Sequence, residues 1–104
     1  MQAPITEQIN LLDTLEDHPN ELWILQIGPK VIVIHMKKEN VDGLGVFSTR
    51  ESAENFTQAK GIMGTLARCV TFESAREIAK THPKLFCLVL GDDPFNAEII
   101  HWVK

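Results

Sequence analysis

Asp92 and Asp93 follow the apolar run Leu88-Val89-Leu90-Gly91 and precede Pro94. Two carboxylates at a strand's end supply the oxygen donors that a hard cation needs. The same residues also make a polar turn, in which Asp accepts from nearby backbone N–H groups and Pro fixes φ. The turn is the expected role, with Asp92 and Asp93 kept as candidate ligand residues. A second candidate pair is Thr49 and Thr71. Each opens the pattern T-x-E-S-A, at Thr49-Arg50-Glu51-Ser52-Ala53 and again at Thr71-Phe72-Glu73-Ser74-Ala75. A hydroxyl followed by an acidic residue and an apolar face is a helix start, where the hydroxyl satisfies an orphan N–H and Glu meets the positive end of the dipole. Ser48 and Glu51 also stand at capping-box spacing. Free N–H groups at such starts can take an anion, so Thr49 and Thr71 are candidate binding residues.

Other chemistry finds little support. His18, His35, His82 and His101 share no metal-ligand spacing, and there is neither HExxH nor CxxC. His35 and His101 lie in strand-like text, where they are expected to be ordinary hydrogen-bonded residues. Cys69 and Cys87 sit inside apolar stretches and are expected to be buried thiols. No G-x-S-x-G is present, and the chain lacks tyrosine. Gly61-Ile62-Met63-Gly64 has the GxxG spacing of a backbone-clamping loop, but the extended text after it favours a helix stop. No catalytic residue, metal or cofactor is expected.

The elements that must hold these residues come from 104 residues, the length of one domain. Hydrophobic residues are 44% and charged residues 23%, as in a packed globular chain rather than a disordered one. The longest apolar run, near Val31 to Met36, is far short of the ~20 residues of a membrane span. The net charge is −4, and five acids without a lysine or arginine fall in residues 1–21. No basic surplus is available to neutralise a run of phosphates, so nucleic acid is not an expected partner. The start of the chain shows no basic region followed by an apolar block, so a cytoplasmic location is expected.

Ile5, Ile9, Leu12 and Leu15 fall on one face of a helix predicted over 4–16, which ends at the Asp17-His18-Pro19-Asn20 stop. Residues 1–20 are thus a helix and connector, and 22–104 a sheet core. Strands are predicted at 22–27 and 31–36, joined by Gly28-Pro29-Lys30 in an antiparallel hairpin, and at 44–47, 66–70, 85–90 and 97–103. Asp42-Gly43 reads as a turn. Helices follow Thr49 and Thr71. The order α-β-β-β-α-β-α-β-β implies one α/β (α+β) domain with a mixed sheet of five to six strands. The strands at 31–36 and 97–103 are apolar on both faces. Two helices are expected on one face of the sheet, leaving apolar surface on the other.

The stretch Asp42-Gly43-Leu44-Gly45-Val46-Phe47-Ser48-Thr49, with Glu51 and Ala53, resembles the N-terminal domain of SseB-like bacterial proteins. The resemblance covers residues 22–90. It implies a mixed α/β layout and a bacterial cytoplasmic accessory or interaction domain, without catalytic residues to carry over. The expected function is a non-enzymatic interaction or regulatory module that self-associates, with Ile100 and Trp102 at the interface. The alternative is a small-molecule or anion-binding domain built on Thr49 and Thr71.

Overall fold

Residues 20–104 are described in the computed structural model, and the helix predicted over 4–16 lies outside them. The elements run β1 (Glu21–Ile27), β2 (Lys30–Val31), β3 (Val33–Met36), β4 (Val41–Val46), α1 (Arg50–Lys60), β5 (Leu66–Thr71), α2 (Phe72–Thr81), β6 (Cys87–Leu90) and β7 (Glu98–Trp102). Seven strands form two hydrogen-bonded sets, ordered β2-β1-β5 and β3-β4-β6-β7. All pairings are antiparallel except β4 with β6. The mixed α+β domain and the Gly-Pro hairpin are as expected, with Gly28 at φ +58° in the turn.

Ile32 explains why one predicted strand becomes two. Its N–H donates to the Leu25 carbonyl at 3.0 Å, while its own carbonyl accepts from the Gly45 N–H at 3.0 Å. The strand leaves β1 at this residue and joins β4. The vacated edge of β1 is taken by Phe47, which exchanges backbone hydrogen bonds of 2.8 and 2.9 Å with Trp23. The two sets are therefore sutured at Ile32 and at the Trp23–Phe47 pair. β3 is an edge strand with Val33 and His35 exposed.

The predicted turn at Asp42-Gly43 is displaced. The chain reverses at Lys37–Asn40 instead, where Asn40 adopts φ +58° and donates its N–H to the Met36 carbonyl at 2.7 Å. Asn is among the few residues that tolerate this left-handed geometry. Asp42 and Gly43 lie inside β4, and Gly43 is there for space: a Cβ on it would stand 2.5 Å from Val89 Cγ2 and 2.8 Å from Cys87 Sγ.

The repeated T-x-E-S-A text builds one local structure twice. Thr49 Oγ1 accepts from the Ser52 N–H at 3.0 Å, and Thr71 Oγ1 accepts from the Ser74 N–H at 3.0 Å. Ala53 and Ala75, at matching positions, are fully buried. α1 ends at Gly61, whose φ of +67° and N–H to the Gln58 carbonyl close the last turn. The GxxG is thus a helix stop.

The helices take opposite faces, a correction to the expected arrangement. α1 packs Ala53 and Phe56 against Leu25 and Phe47, while α2 packs Ala75 and Ala79 against Leu22, Ile24, Leu44 and Leu88. Leu22 and Ile24 alternate with Trp23 and Leu25 along β1, so the two clusters lie on opposite sides of it. Each helix covers only part of its face, and α1 lies mainly over β1 and β5, with Ile34 of β3 also packed against its cluster.

Candidate functional site

β4 and β6 are parallel, so both finish at one end of the sheet, where Ser48 and Asp92 follow them. Asp92 spends both carboxylate oxygens there. Oδ1 accepts from the Ser48 N–H at 2.9 Å and Oδ2 from the Ser48 hydroxyl at 2.5 Å. The helix cap is therefore Thr49, and Ser48 serves the clamp rather than a capping box with Glu51. Asp93 shapes its own loop. Its Oδ1 accepts from the Phe95 N–H at 3.0 Å and its carbonyl from the Asn96 N–H at 3.1 Å.

The candidate residues consequently divide. Asp92 and Thr49 are brought to the same helix start, whereas Thr71 caps the helix on the opposite face, beside the Phe72 N–H bond to the Asn20 carbonyl. Thr49 and Thr71 do not form one site. An anion approaching Thr49 would also meet the Asp92 carboxylate, which already complements the helix dipole. Among the described residues, no group of three or more His, Cys, Asp or Glu is placed to hold a metal ion. No described helix is long and apolar enough to cross a membrane.

One constellation escaped the sequence reading. His35 and Asp42 face each other directly across β3 and β4, with Nδ1 2.7 Å from Oδ1. Placing a turn at Asp42 hid this register, though a basic and an acidic residue flanking a hairpin were the available signal. The carboxylate orients the imidazole, but the nearest thiol belongs elsewhere. Cys87 projects beside Gly43, on the other side of the sheet. His101 stacks edge-on against Phe72 at 5.1 Å and stands in β7, at the opposite edge of the four-stranded set from His35.

The cysteines differ from each other. Cys87 is buried, but Cys69 is exposed on the edge strand β5, contrary to the expectation for both. A half-covered edge leaves room for an outward thiol even where the text is apolar. Burial pushes the Cys87 thiol above its ordinary range, and the Glu39 and Asp42 carboxylates add to the effect. The unfolded chain gives up this proton at lower pH than the folded one. Stability is unaffected below the ordinary thiol range and declines as pH rises through it towards the raised folded value. In the native state, Cys69 should react with iodoacetamide on the order of a hundredfold faster than Cys87, since attack needs an accessible thiolate. Peptide mass spectrometry after timed alkylation checks this; equal rates would contradict the burial difference.

Ile100 and Trp102, the candidate interface residues, are not equivalent. Ile100 packs partly against the core under α2, whereas Trp102 is 49% exposed. Trp102, Ile99 and Met36 line a groove of about 530 Å³. A second hollow of about 420 Å³ shares Met36 and Ala97 with it and reaches Phe56, Lys60 and Phe95. Lys60 Nζ stands 4.9 Å from the Phe95 ring and 5.9 Å from the Phe56 ring.

Compared with known proteins, the chain matches no family model, no curated protein and no solved structure.

Proposed function

We propose that the protein is a non-enzymatic interaction module that associates with a second copy of itself through the outer edge of β7. The observation that carries the reading is the state of that strand. Among the described residues, β7 is terminal in its sheet and pairs only with β6. The Val103 N–H donates inward to the Phe86 carbonyl at 2.9 Å. Alternation then directs the Trp102 backbone N–H to the outer edge. Unpaired strand edges are templates for pairing with another chain, and two-fold pairing is the commonest closed solution. Trp102, half exposed within this strand, adds apolar area. The resemblance of Asp42–Ala53 to SseB-like bacterial proteins points the same way, to an accessory domain of a bacterial cytoplasm. A small-molecule or anion site is less well supported, because Thr49 and Thr71 are apart and each hydroxyl is engaged.

Sedimentation equilibrium at micromolar concentration should give a dimer, and Trp102→Pro should give a monomer. Proline removes an outward N–H and is tolerated on an edge strand, so circular dichroism should show the fold retained. A wild-type monomer at high concentration would reject the reading.

A further inference from the structure

We infer that the outer edge of β3 binds an extended segment of a partner protein that carries Asp or Glu at alternate positions. β3 lies at the opposite edge of the four-stranded set from β7, so the inference stands or falls apart from the pairing of β7. Among the described residues, β3 pairs only with β4. The Gly45 N–H donates to the Ile32 carbonyl at 3.0 Å, which makes Ile34 and Gly43 the next hydrogen-bonded pair. Alternation then turns the N–H and C=O groups of Val33 and His35 to the outer edge. An added strand completes such an edge with main-chain hydrogen bonds, and hollows beside it select the side chains.

Two hollows lie in a row beside this edge, on the α2 face. Val33 and His35 stand opposite Leu44 and Asp42, and Leu44 packs under α2, so both side chains belong to that face. Val33 borders a hollow of about 330 Å³ together with Lys30 and His82. His35 borders one of about 420 Å³ together with Lys84 and Phe86. The two positions are about 7 Å apart, the spacing of same-face residues in an extended guest. The loop that walls both hollows is held in place. Lys104 Nζ donates to the His82 carbonyl at 2.6 Å, and the Lys84 N–H donates to His82 Nδ1 at 3.3 Å. The second bond leaves His82 Nε2 as the N–H donor of the ring.

Charge defines the partner. The chain carries a net −4, yet four of its seven lysines, Lys30, Lys37, Lys60 and Lys84, line the three hollows that border β3. Asp42 is the one carboxylate among the described residues of these linings, and His35 Nδ1 stands 2.7 Å from it. A second copy of the chain would set the same lysines against each other across the edge, which like charges oppose. An acidic strand instead meets a lysine in every hollow.

The test titrates the isotope-labelled full chain with the peptide acetyl-Glu-Val-Glu-Val-Glu-Val-amide and follows the amide resonances. Those of Val33 and His35 should shift and saturate with a Kd on the order of 0.1–1 mM. Methylating the backbone nitrogens of the peptide should weaken binding about tenfold, because it removes main-chain donors and keeps the charges. Lys30→Glu with Lys84→Glu should also weaken it about tenfold. A peptide with lysine in place of glutamate should not bind. Trp102→Pro should leave the titration unchanged, which separates a failure here from a failure of the β7 pairing. Absence of saturable shifts at about 10 mM peptide would overturn the inference. Equal binding of the methylated peptide would overturn it by reducing the contact to charge attraction. Val33 and His35 resonances that move on dilution of the protein alone would overturn it too, by giving the edge to a second copy.

Discussion

Replacing Gly43 by valine should abolish the cooperative unfolding transition. A Cβ there already meets Val89 Cγ2 at 2.5 Å, Cys87 Sγ at 2.8 Å and the Cys87 carbonyl oxygen at 2.9 Å. None of these neighbours is the free end of a long side chain. Val89 and Cys87 are fully buried, and the carbonyl belongs to β6 itself. Overpacking costs about 1–3 kcal/mol where the surroundings can yield, and more where backbone must move. Valine adds two methyl groups beyond that Cβ, in a domain whose whole stability is on the order of 5–15 kcal/mol. Alanine should fold but melt in less urea. Circular dichroism across a urea series distinguishes the two; a valine variant with wild-type midpoint would show that β4 and β6 are not held at this spacing.

Phe47→Ala should cost about 3–5 kcal/mol, the usual range for removing a large buried aromatic. Phe47 is fully buried, and its ring centroid lies 5.2 Å from that of Phe56. Its ring also fills the place where a side chain on Gly91 would go, with Cε1 2.7 Å from a Cβ built there. The same residue supplies the backbone suture to Trp23, which alanine keeps. The loss should therefore appear as a lower urea midpoint with an unchanged slope, since the surface exposed on unfolding is nearly the same. Phe47→Leu should lose less. A change below about 1 kcal/mol for alanine would mean that the site collapses without the ring.

The parts of the fold that were legible in the sequence are those fixed by neighbours in the chain. Thr49 and Thr71 were readable as helix starts because cap, acidic residue and buried alanine all fall within five positions. The Gly28-Pro29 hairpin was readable for the same reason. What was not legible depends on distant partners. Asp42-Gly43 has the composition of a turn, and only the closeness of Val89 and Cys87 reveals that Gly43 is a strand glycine. Ile32 looks like any residue of an apolar strand, because its exchange of partners is written in Leu25 and Gly45. The sides taken by the helices were misjudged because periodicity shows that a helix has an apolar face but not which side of the sheet it meets. At the candidate site, Asp92 was singled out correctly as a loop carboxylate, yet its partner Ser48 lies 44 positions away. The His35–Asp42 pair depended on a register that the misplaced turn concealed.

The parallel pairing of β4 with β6 has a consequence for synthesis. Gly43 opposes Cys87 and Val46 opposes Leu90, so this seam joins the middle of the chain to its last fifth. While the ribosome still shelters β6, a nascent chain can close the β1–β2 hairpin and assemble α1, but β4 has one naked edge. Pairings of such long sequence separation form late, because loop closure precedes any reward from the contact. Until β6 emerges, that edge and the leucine and valine side chains of β4 are the surfaces most open to chaperones and to wrong partners. Premature termination after α2 would make the exposure permanent, so a truncated product should be a substrate for proteolysis rather than a smaller working domain.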